Sequence, residues 1–376
     1  SFTKRTEFEF IISSLIYLIG DRNKFLFLFT TKPLCMLKRL LSVICLMAFF
    51  GITKEVKAQD PSFSQFFANP LYLNPAMAGS DICPRLSISH RNQWPGIGKT
   101  YVTYSASYDQ YVDKLGGGLG VGIAKDVAGA GNLNTTHINI SYAYHLKVTK
   151  KFSINAGFEG AYRQLGIDWS QLKFGDMIDP VQGFVLETNE DIINYANNKG
   201  FADFASGFMG FGSANNKFDY YFGFAAHHIT RPDQGFLGES RLPMKMTANV
   251  GAAFPLNPYG TYRTNSGFRP KNAAIFSPNI MFQKQQDFMQ LNYGIYIVKG
   301  PIVGGLWTRQ SAENFDAFII LLGIEQHNWK FGYSYDVTIS DLNNSNTQGA
   351  HEFSFAYKLP CRYKGKSYET INCPTF

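Results

Sequence analysis

Few residues in this chain are spaced for chemistry. His227 and His228 are adjacent, while His90, His137, His145, His327 and His351 are scattered, so no His set has metal-ligand spacing. Neither a Gly-x-Ser-x-Gly elbow nor a His-Glu-x-x-His helix motif occurs. Gly116-Gly117-Gly118-Leu119-Gly120-Val121-Gly122 has the glycine density of a phosphate loop. It lacks the following Lys-Ser/Thr and the strand–loop–helix setting, and in a strand such glycines allow curvature or close approach of another backbone. The reading is a non-enzymatic protein with no cofactor and no metal. A hydrolase assembled from residues on different strands is the enzymatic alternative.

The remaining polar chemistry is charge set among apolar residues. Arg85, Arg91, Glu159, Arg163, Asp219, Lys245, Asp336, Glu352 and Lys358 lie on the polar faces of alternating segments. If those faces meet in an interior, these groups become ion pairs, either as structural filling or as the lining of a pore. Arg91 stands close to Trp94-Pro95 at the end of its segment, and is read as a snorkelling anchor at a membrane interface, with a partner site as the alternative. Of the five Cys, Cys35 and Cys45 lie within the first 58 residues, leaving Cys83, Cys361 and Cys373. One disulfide is expected in an oxidising compartment, Cys361–Cys373 or Cys83–Cys361, and spacing does not choose.

The elements that must position these groups are strands. The chain has 376 residues, with 34 Phe, 21 Tyr and 35 Gly, and only 17% charged residues. That composition excludes disorder and favours β-structure. Beyond residue 50 no apolar run reaches the roughly 18 residues of a spanning helix. Apolar and polar residues alternate instead: Ile138, Ile140, Tyr142, Tyr144 and Leu146 oppose His137, Asn139, Ser141, Ala143 and His145. Phe353, Phe355, Tyr357 and Leu359 oppose Glu352, Ser354, Ala356 and Lys358. About fourteen such segments fall at 84–91, 99–109, 117–126, 134–147, 151–165, 201–212, 217–229, 243–255, 272–284, 287–299, 301–309, 314–326, 328–338 and 348–359. Their length of about 10–13 residues suits tilted transmembrane strands.

A lipid-facing sheet must pair every backbone amide, so the expectation is a closed, all-β outer-membrane barrel of about fourteen antiparallel strands. Tyr101, Tyr142, Tyr162, Trp307 and Trp329 near strand ends are expected to form aromatic girdles. A soluble sandwich or propeller is the alternative. The bulky aromatic set opposite a small polar set favours the barrel.

Around the strands the chain divides further. It opens with Ser1, and Met36 is its first Met. Lys38-Arg39, the apolar run Leu40–Phe50 and Val56-Lys57-Ala58 read as a signal peptide over 36–58. Residues 1–35 are read as upstream translation, with an N-terminal anchor as the alternative. Residues 1–58 hold nine Lys/Arg and four Asp/Glu, so without them the formal charge falls from +7 to +2 over 318 residues. The basic balance therefore carries no expectation of nucleic acid. Residues 59–82 form an N-terminal lead-in, periplasmic or plug-like. The barrel covers 83–360, interrupted by a long loop at 166–200 in which Asp191–Ala196 could make a helical turn, and 361–376 is a tail.

The segment Pro61-Ser62-Phe63-Ser64-Gln65-Phe66-Phe67-Ala68-Asn69-Pro70-Leu71-Tyr72-Leu73-Asn74-Pro75-Ala76-Met77-Ala78-Gly79 resembles the opening of the PorP/SprF family. So do Arg91-Asn92-Gln93-Trp94-Pro95, Tyr104-Ser105-Ala106-Ser107-Tyr108-Asp109 and Phe174-Gly175-Asp176-Met177-Ile178-Asp179-Pro180. The resemblance covers essentially all of residues 59–376, and its motifs are specific as a set. Only the first 35 residues fall outside the pattern.

The resemblance implies an outer-membrane β-barrel of the Bacteroidota type IX secretion system. Such a barrel would help to export and hold large surface adhesins used in gliding motility, by recognising a C-terminal domain of the cargo. Its partners would be that adhesin and other secretion subunits. A passive porin-like solute channel is the competing function. In the two Asn-Pro pairs, each Pro biases the preceding Asn away from helix, and each Asn can make a side-chain turn. Asn69, Pro70, Asn74 and Pro75 are thus either a packed lead-in or a partner contact. Trp169, Phe174 and Asp176 in the long loop are the further candidates for partner contact.

Overall fold

The structure is a computed structural model that describes residues 59–360, apart from 82, 98–100, 130–132, 190–195, 215–217, 258–271, 273, 313 and 340–343. The expected signal peptide, the segment ahead of it, the tail with Cys361 and Cys373, and most of the proposed turn at Asp191–Ala196 lie outside the described residues. All described residues belong to one compact unit, Gln59–Phe376.

Fourteen antiparallel strands close into a barrel, as the alternation predicts. They are β1 (Arg85–Gln93), β2 (Tyr101–Val112), β3 (Gly117–Ala128), β4 (Leu133–Thr149), β5 (Phe152–Ile167), β8 (Asn198–Ala214), β9 (Phe218–His227) and β10 (Lys245–Pro255), then β11 (Ala274–Gln285), β12 (Phe288–Lys299), β13 (Ile302–Ser311), β14 (Phe315–Gln326), β15 (Trp329–Thr338) and β16 (Ala350–Lys358). Two further strands, β6 (Ile178–Asp179) and β7 (Gly183–Phe184), form a small hairpin that alternation does not reveal. Each barrel strand pairs with its neighbours in sequence, and β1 closes on β16 from Arg85↔Lys358 to Gln93↔Ala350. Closure leaves no open edge, which hydrocarbon would not tolerate.

Alternation sets the two surfaces. Ile138, Ile140, Tyr144 and Leu146 of β4 face outward, as do Phe353 and Phe355 of β16. Their neighbours Asn139, Ser141, Glu352 and Ser354 are buried in the lumen. No helix among the described residues is long and apolar enough to cross a membrane. The strands do the crossing, with an apolar belt outside and a polar interior.

The two ends of the barrel differ. One end bears the two-residue turns 150–151, 300–301 and 327–328, and the start of β1. It also bears the connection 256–273, which lies mostly outside the described residues. The opposite end bears the connections 94–100, 168–197, 228–244 and 339–349. The long loop is therefore shorter than the expected 166–200, because β5 and β8 extend their pairing to Gly166↔Asn198.

Candidate functional site

The lumen is occupied by the chain's own lead-in, which runs from one end of the barrel to the other. At the loop-bearing end, the Asp60 N–H donates to Gln285 Oε1 at 3.0 Å, and the Asp60 carboxylate lies 3.2 Å from Lys245 Nζ. Lys245 and Gln285 are themselves paired across the ends of β10 and β11. At the turn-bearing end, Asp81 meets Lys358 Nζ at 2.8 Å, where Lys358 pairs with Arg85.

Local sequence explains its shape. Asn-Pro occurs twice, and each Pro starts a short helical turn, where its missing N–H costs nothing. Phe66–Ala68 is a 3-10 turn, α1 is Pro70–Leu73, and Pro75–Met77 is a second 3-10 turn. The Asn74 side chain caps the second by accepting from Ala76 N–H at 2.9 Å, and its Nδ2 donates to the Phe208 and Phe224 carbonyls of the wall. Asn69 makes no such cap.

Three sets of wall groups hold the segment. Near the loop-bearing end, Glu352 accepts from the N–H groups of Ser64 (2.6 Å) and Gln65 (3.0 Å). Ser64 Oγ donates to Asp336 at 2.6 Å. Arg91 bridges Asp336 (2.9 Å) and Glu352 (3.1 Å), and Arg309 also reaches Asp336 at 2.9 Å. Gln65 is fully buried, donating to the Glu352 carbonyl and accepting from Ser354 Oγ. A buried charge needs partners of this kind, since an unpaired one costs several kcal/mol.

Beside this set, His228 sits between two carboxylates, with Nδ1 2.7 Å from Asp203 and Nε2 2.6 Å from Asp60. Arg163 lies 2.9 Å from Asp203 and 3.5 Å from Asp60. Below the polar groups an apolar clamp takes over. Phe66 packs edge-on against Trp307 (centroids 4.9 Å apart) and Phe67 edge-on against Tyr221 (5.6 Å). Leu73, Ala76 and Met77 join the same core with Met209, Phe211, Met281 and Leu321.

Opposite the clamp, glycines let the lead-in backbone touch the wall. A Cβ on Gly118 would collide with the Ala78 carbonyl, and one on Gly157 with the Ala76 amide. One on Gly120 would come within 2.7 Å of Leu71 Cδ1. The glycine run read as a strand feature thus serves close backbone approach. Gly79 itself is left-handed at φ +60°, and its N–H donates to Asp109 Oδ2 at 2.9 Å.

Of the nine charged positions on the polar strand faces, Arg85, Arg91, Glu159, Arg163, Lys245, Asp336, Glu352 and Lys358 are buried, and Asp219 is half-buried. Arg85 pairs with Asp109 at 2.9 Å, and Glu159 accepts from Asn139 (2.5 Å) and Ser141 (3.0 Å). The membrane-anchor reading of Arg91 is corrected. Its side chain points inward on the same register as Ser87 and Ser89, where two carboxylates compensate it. Trp307 is likewise no girdle residue. It is 2% exposed, inward-facing and packed edge-on against Phe66 of the lead-in. Asn69, Pro70, Asn74 and Pro75 are buried within the barrel. Cys83 is in a disulfide, while Cys361 and Cys373 lie outside the described residues.

In the long loop, Trp169 is also mostly buried, donating from Nε1 to the Ala196 carbonyl at 3.1 Å and packing on Phe236. Phe174 is half-buried and Asp176 exposed. Asp176 accepts from Asn189 N–H and Thr188 Oγ1, and the Asn189 N–H holds its carboxyl below the usual range. In the neighbouring connection, a hydrogen bond from the Lys199 ammonium pushes Asp233 down to about 2. Val181, Phe184, Val185, Leu186 and Leu237 are exposed at this end, Val181 by 92%.

Sequence reasoning missed Asp60, Asp203, His228 and Arg309. The parity of β8 and β13 marks Asp203 and Arg309 as inward. His228 follows β9 in the left-handed region (φ 57°), beyond the reach of alternation. Among the described residues no cluster of His, Cys, Asp and Glu suits a metal ion.

A search of curated proteins finds no match. Among solved structures the chain is similar to the toluene transporter TbuX of Ralstonia pickettii (9% identity, 77% of this chain and 93% of that one, TM-score 0.43). It is also similar to the monoaromatic hydrocarbon channel CymD (11%, 79% and 94%, TM-score 0.42) and to the outer membrane protein Omp33 of Acinetobacter baumannii (8%, 75% and 100%, TM-score 0.37). The family model described as type IX secretion system membrane protein PorP/SprF matches residues 55–357, nearly the whole of the barrel and its lead-in. The chain therefore belongs to the PorP/SprF family of type IX secretion system membrane proteins, and is an outer-membrane β-barrel.

Proposed function

We propose that this barrel works without enzymatic chemistry, assisting the export and surface attachment of large adhesins of the gliding type by recognising a C-terminal domain of the cargo. The observation that carries this reading is the filled lumen. A lead-in anchored to the wall at both ends leaves little open path for solutes, so the porin-like alternative loses its physical basis. What remains for function is contact with other proteins.

The orientation follows from loop length. Outer-membrane barrels keep short turns on the periplasmic side and longer loops outside. That rule puts 168–197 and 228–244 at the cell surface, with the exposed Val181, Phe184, Val185, Leu186 and Leu237 available to grip a partner. Apolar side chains exposed together on one loop, as Val181, Phe184, Val185 and Leu186 are, are the usual mark of an interaction site. An N-terminal signal peptide at 36–58 would deliver the chain to the periplasm.

The test is a clean deletion in the native host, scored by surface display of large adhesins, with pull-down of the tagged barrel from its own outer membrane. Loss of one adhesin from the surface, and its recovery with the barrel, is the expected result. Normal display together with a barrel that purifies alone would overturn the reading.

A further inference from the structure

The wall of the lumen recognises its occupant in part through groups that every polypeptide carries. Glu352 accepts two successive main-chain N–H groups, those of Ser64 and Gln65. Asp109 accepts the Gly79 N–H and Gln285 the Asp60 N–H. From the other side, Asn155 Nδ2 donates to the Ala76 carbonyl at 3.4 Å, and His145 Nε2 lies 3.0 Å from the Ala78 carbonyl. Gly118 and Gly157 remove the side chains that would block a backbone. Specificity is added by the segment's own side chains, chiefly the Asp60 carboxylate, Ser64 and Gln65 at the loop-bearing end and Phe66 and Phe67 in the aromatic slot of Trp307 and Tyr221.

The fit to this occupant is incomplete. Asn249 on the wall is 4% exposed, and neither its Oδ1 nor its Nδ2 has a hydrogen-bond partner among the described residues. The same holds for Asn292 Nδ2 and for Trp307 Nε1 within the slot. Two small cavities, of about 20 and 10 Å³, flank residues 67–72 of the lead-in. Buried polar groups are normally satisfied, so groups left open in a wall this well made are sites where another chain could bond.

We propose that the lumen is a polypeptide-binding channel, held closed in cis by residues 60–81, which accepts in trans a segment of another chain bearing two adjacent aromatic residues. The cis segment shows what fits: short polar residues at the loop-bearing end, an aromatic pair at the slot, and small residues where the glycines lie. This goes beyond the functional reading above and does not depend on which cargo the protein serves.

The test uses the full chain in planar bilayers, with F66D/F67D as the variant. Both changes lie on the lead-in, so the wall is untouched, and two carboxylates cannot stay in the aromatic slot. The wild type should be closed and should not bind a labelled synthetic peptide of residues 60–80. The variant should conduct, and the peptide should bind it and block the current at least tenfold. The same peptide carrying the two Asp should do neither, and adding W307A to the variant should weaken peptide binding at least tenfold. A folded variant that stays closed, or a conducting one that the peptide does not block, overturns the proposal. If the variant does not fold, a peptide with benzoylphenylalanine at position 66 is incubated with the wild type in mild urea and irradiated. Crosslinks on the strands carrying Tyr221 and Trp307 support the proposal, and crosslinks confined to loops or the outer wall, or none, overturn it.

Discussion

The two halves of the lumen hold the same segment by different physics. The bulky apolar residues buried on the barrel strands lie from β8 to β14, among polar ones such as Asn249 and Arg309: Met209, Phe211, Tyr221, Met281, Tyr296, Trp307, Ile319 and Leu321. From β15 round through β5 the inward residues are charged, small and polar, or glycine: Asp336, Glu352, Ser354, Arg91, Ser87, Ser105, Ser107, Asn139 and the glycines of β3. The first half grips by removing apolar area from water, at about 1.5–3 kcal/mol for each large side chain. The second half orients by directional bonds and by letting the backbone come close. Area burial alone would let the lead-in slide, whereas bonds to successive amides at Ser64 and Gln65 fix its register.

Changes that break the polar half should cost most where they strand a charge. Asp336→Ala leaves Arg91 with Glu352 alone and takes from Arg309 one of its two carboxylates, and it should destabilise the barrel by about 3–5 kcal/mol. Urea unfolding followed by heat-modifiable gel migration would measure it, and a loss below about 1 kcal/mol would mean the buried pairs are dispensable. Phe66→Ala tests the apolar half. The expected loss is about 3 kcal/mol, with the lead-in newly sensitive to protease while the strands stay intact.

Smaller effects sharpen the contrast. Gly118→Ala places a methyl against the Ala78 carbonyl and should cost about 1–3 kcal/mol by overpacking, whereas Gly304→Ala, with open space around it, should leave lead-in protection unchanged. The prediction fails if both glycines tolerate Ala equally in a protease-protection assay. Ser89→Ala should change stability by no more than about 0.5 kcal/mol, because its buried hydroxyl has no hydrogen-bond partner among the described residues. A clear loss on unfolding would show that the polar half depends on every hydroxyl and not on a few anchors.

The barrel itself was legible because its physics is local. A period of two is written into each strand, and the same parity carried Glu159, Arg163 and Lys245 to the inside. Trp307 shows a reading that parity could have mended. It lies two residues from Arg309, on the same face, so the charge next to it already marked the face as inward. Asn69 and Asn74 look alike in sequence, yet only Asn74 caps a turn, because only Asn74 finds two wall carbonyls for its amide. The placement of the lead-in was beyond reach for another reason. Its decisive bonds join residues far apart, such as Gln65 to Ser354, and no periodic pattern encodes which interior receives a segment.

Those separations bear on how the molecule is made. The amides of Ser64 and Gln65 find their carboxylate on β16, 287 and 288 residues further along the chain, and Arg91 finds its partners 245 and 261 residues on. The first described segment to emerge is thus among the last to be fastened. Until β16 arrives, Phe63, Phe66 and Phe67 have no lumen to enter and Glu352 has no Arg91. Long-range closure of this kind is slow. The step that zips β1 to β16 also brings the final anchors to the lead-in, so sealing the wall and seating its occupant become a single late event in assembly.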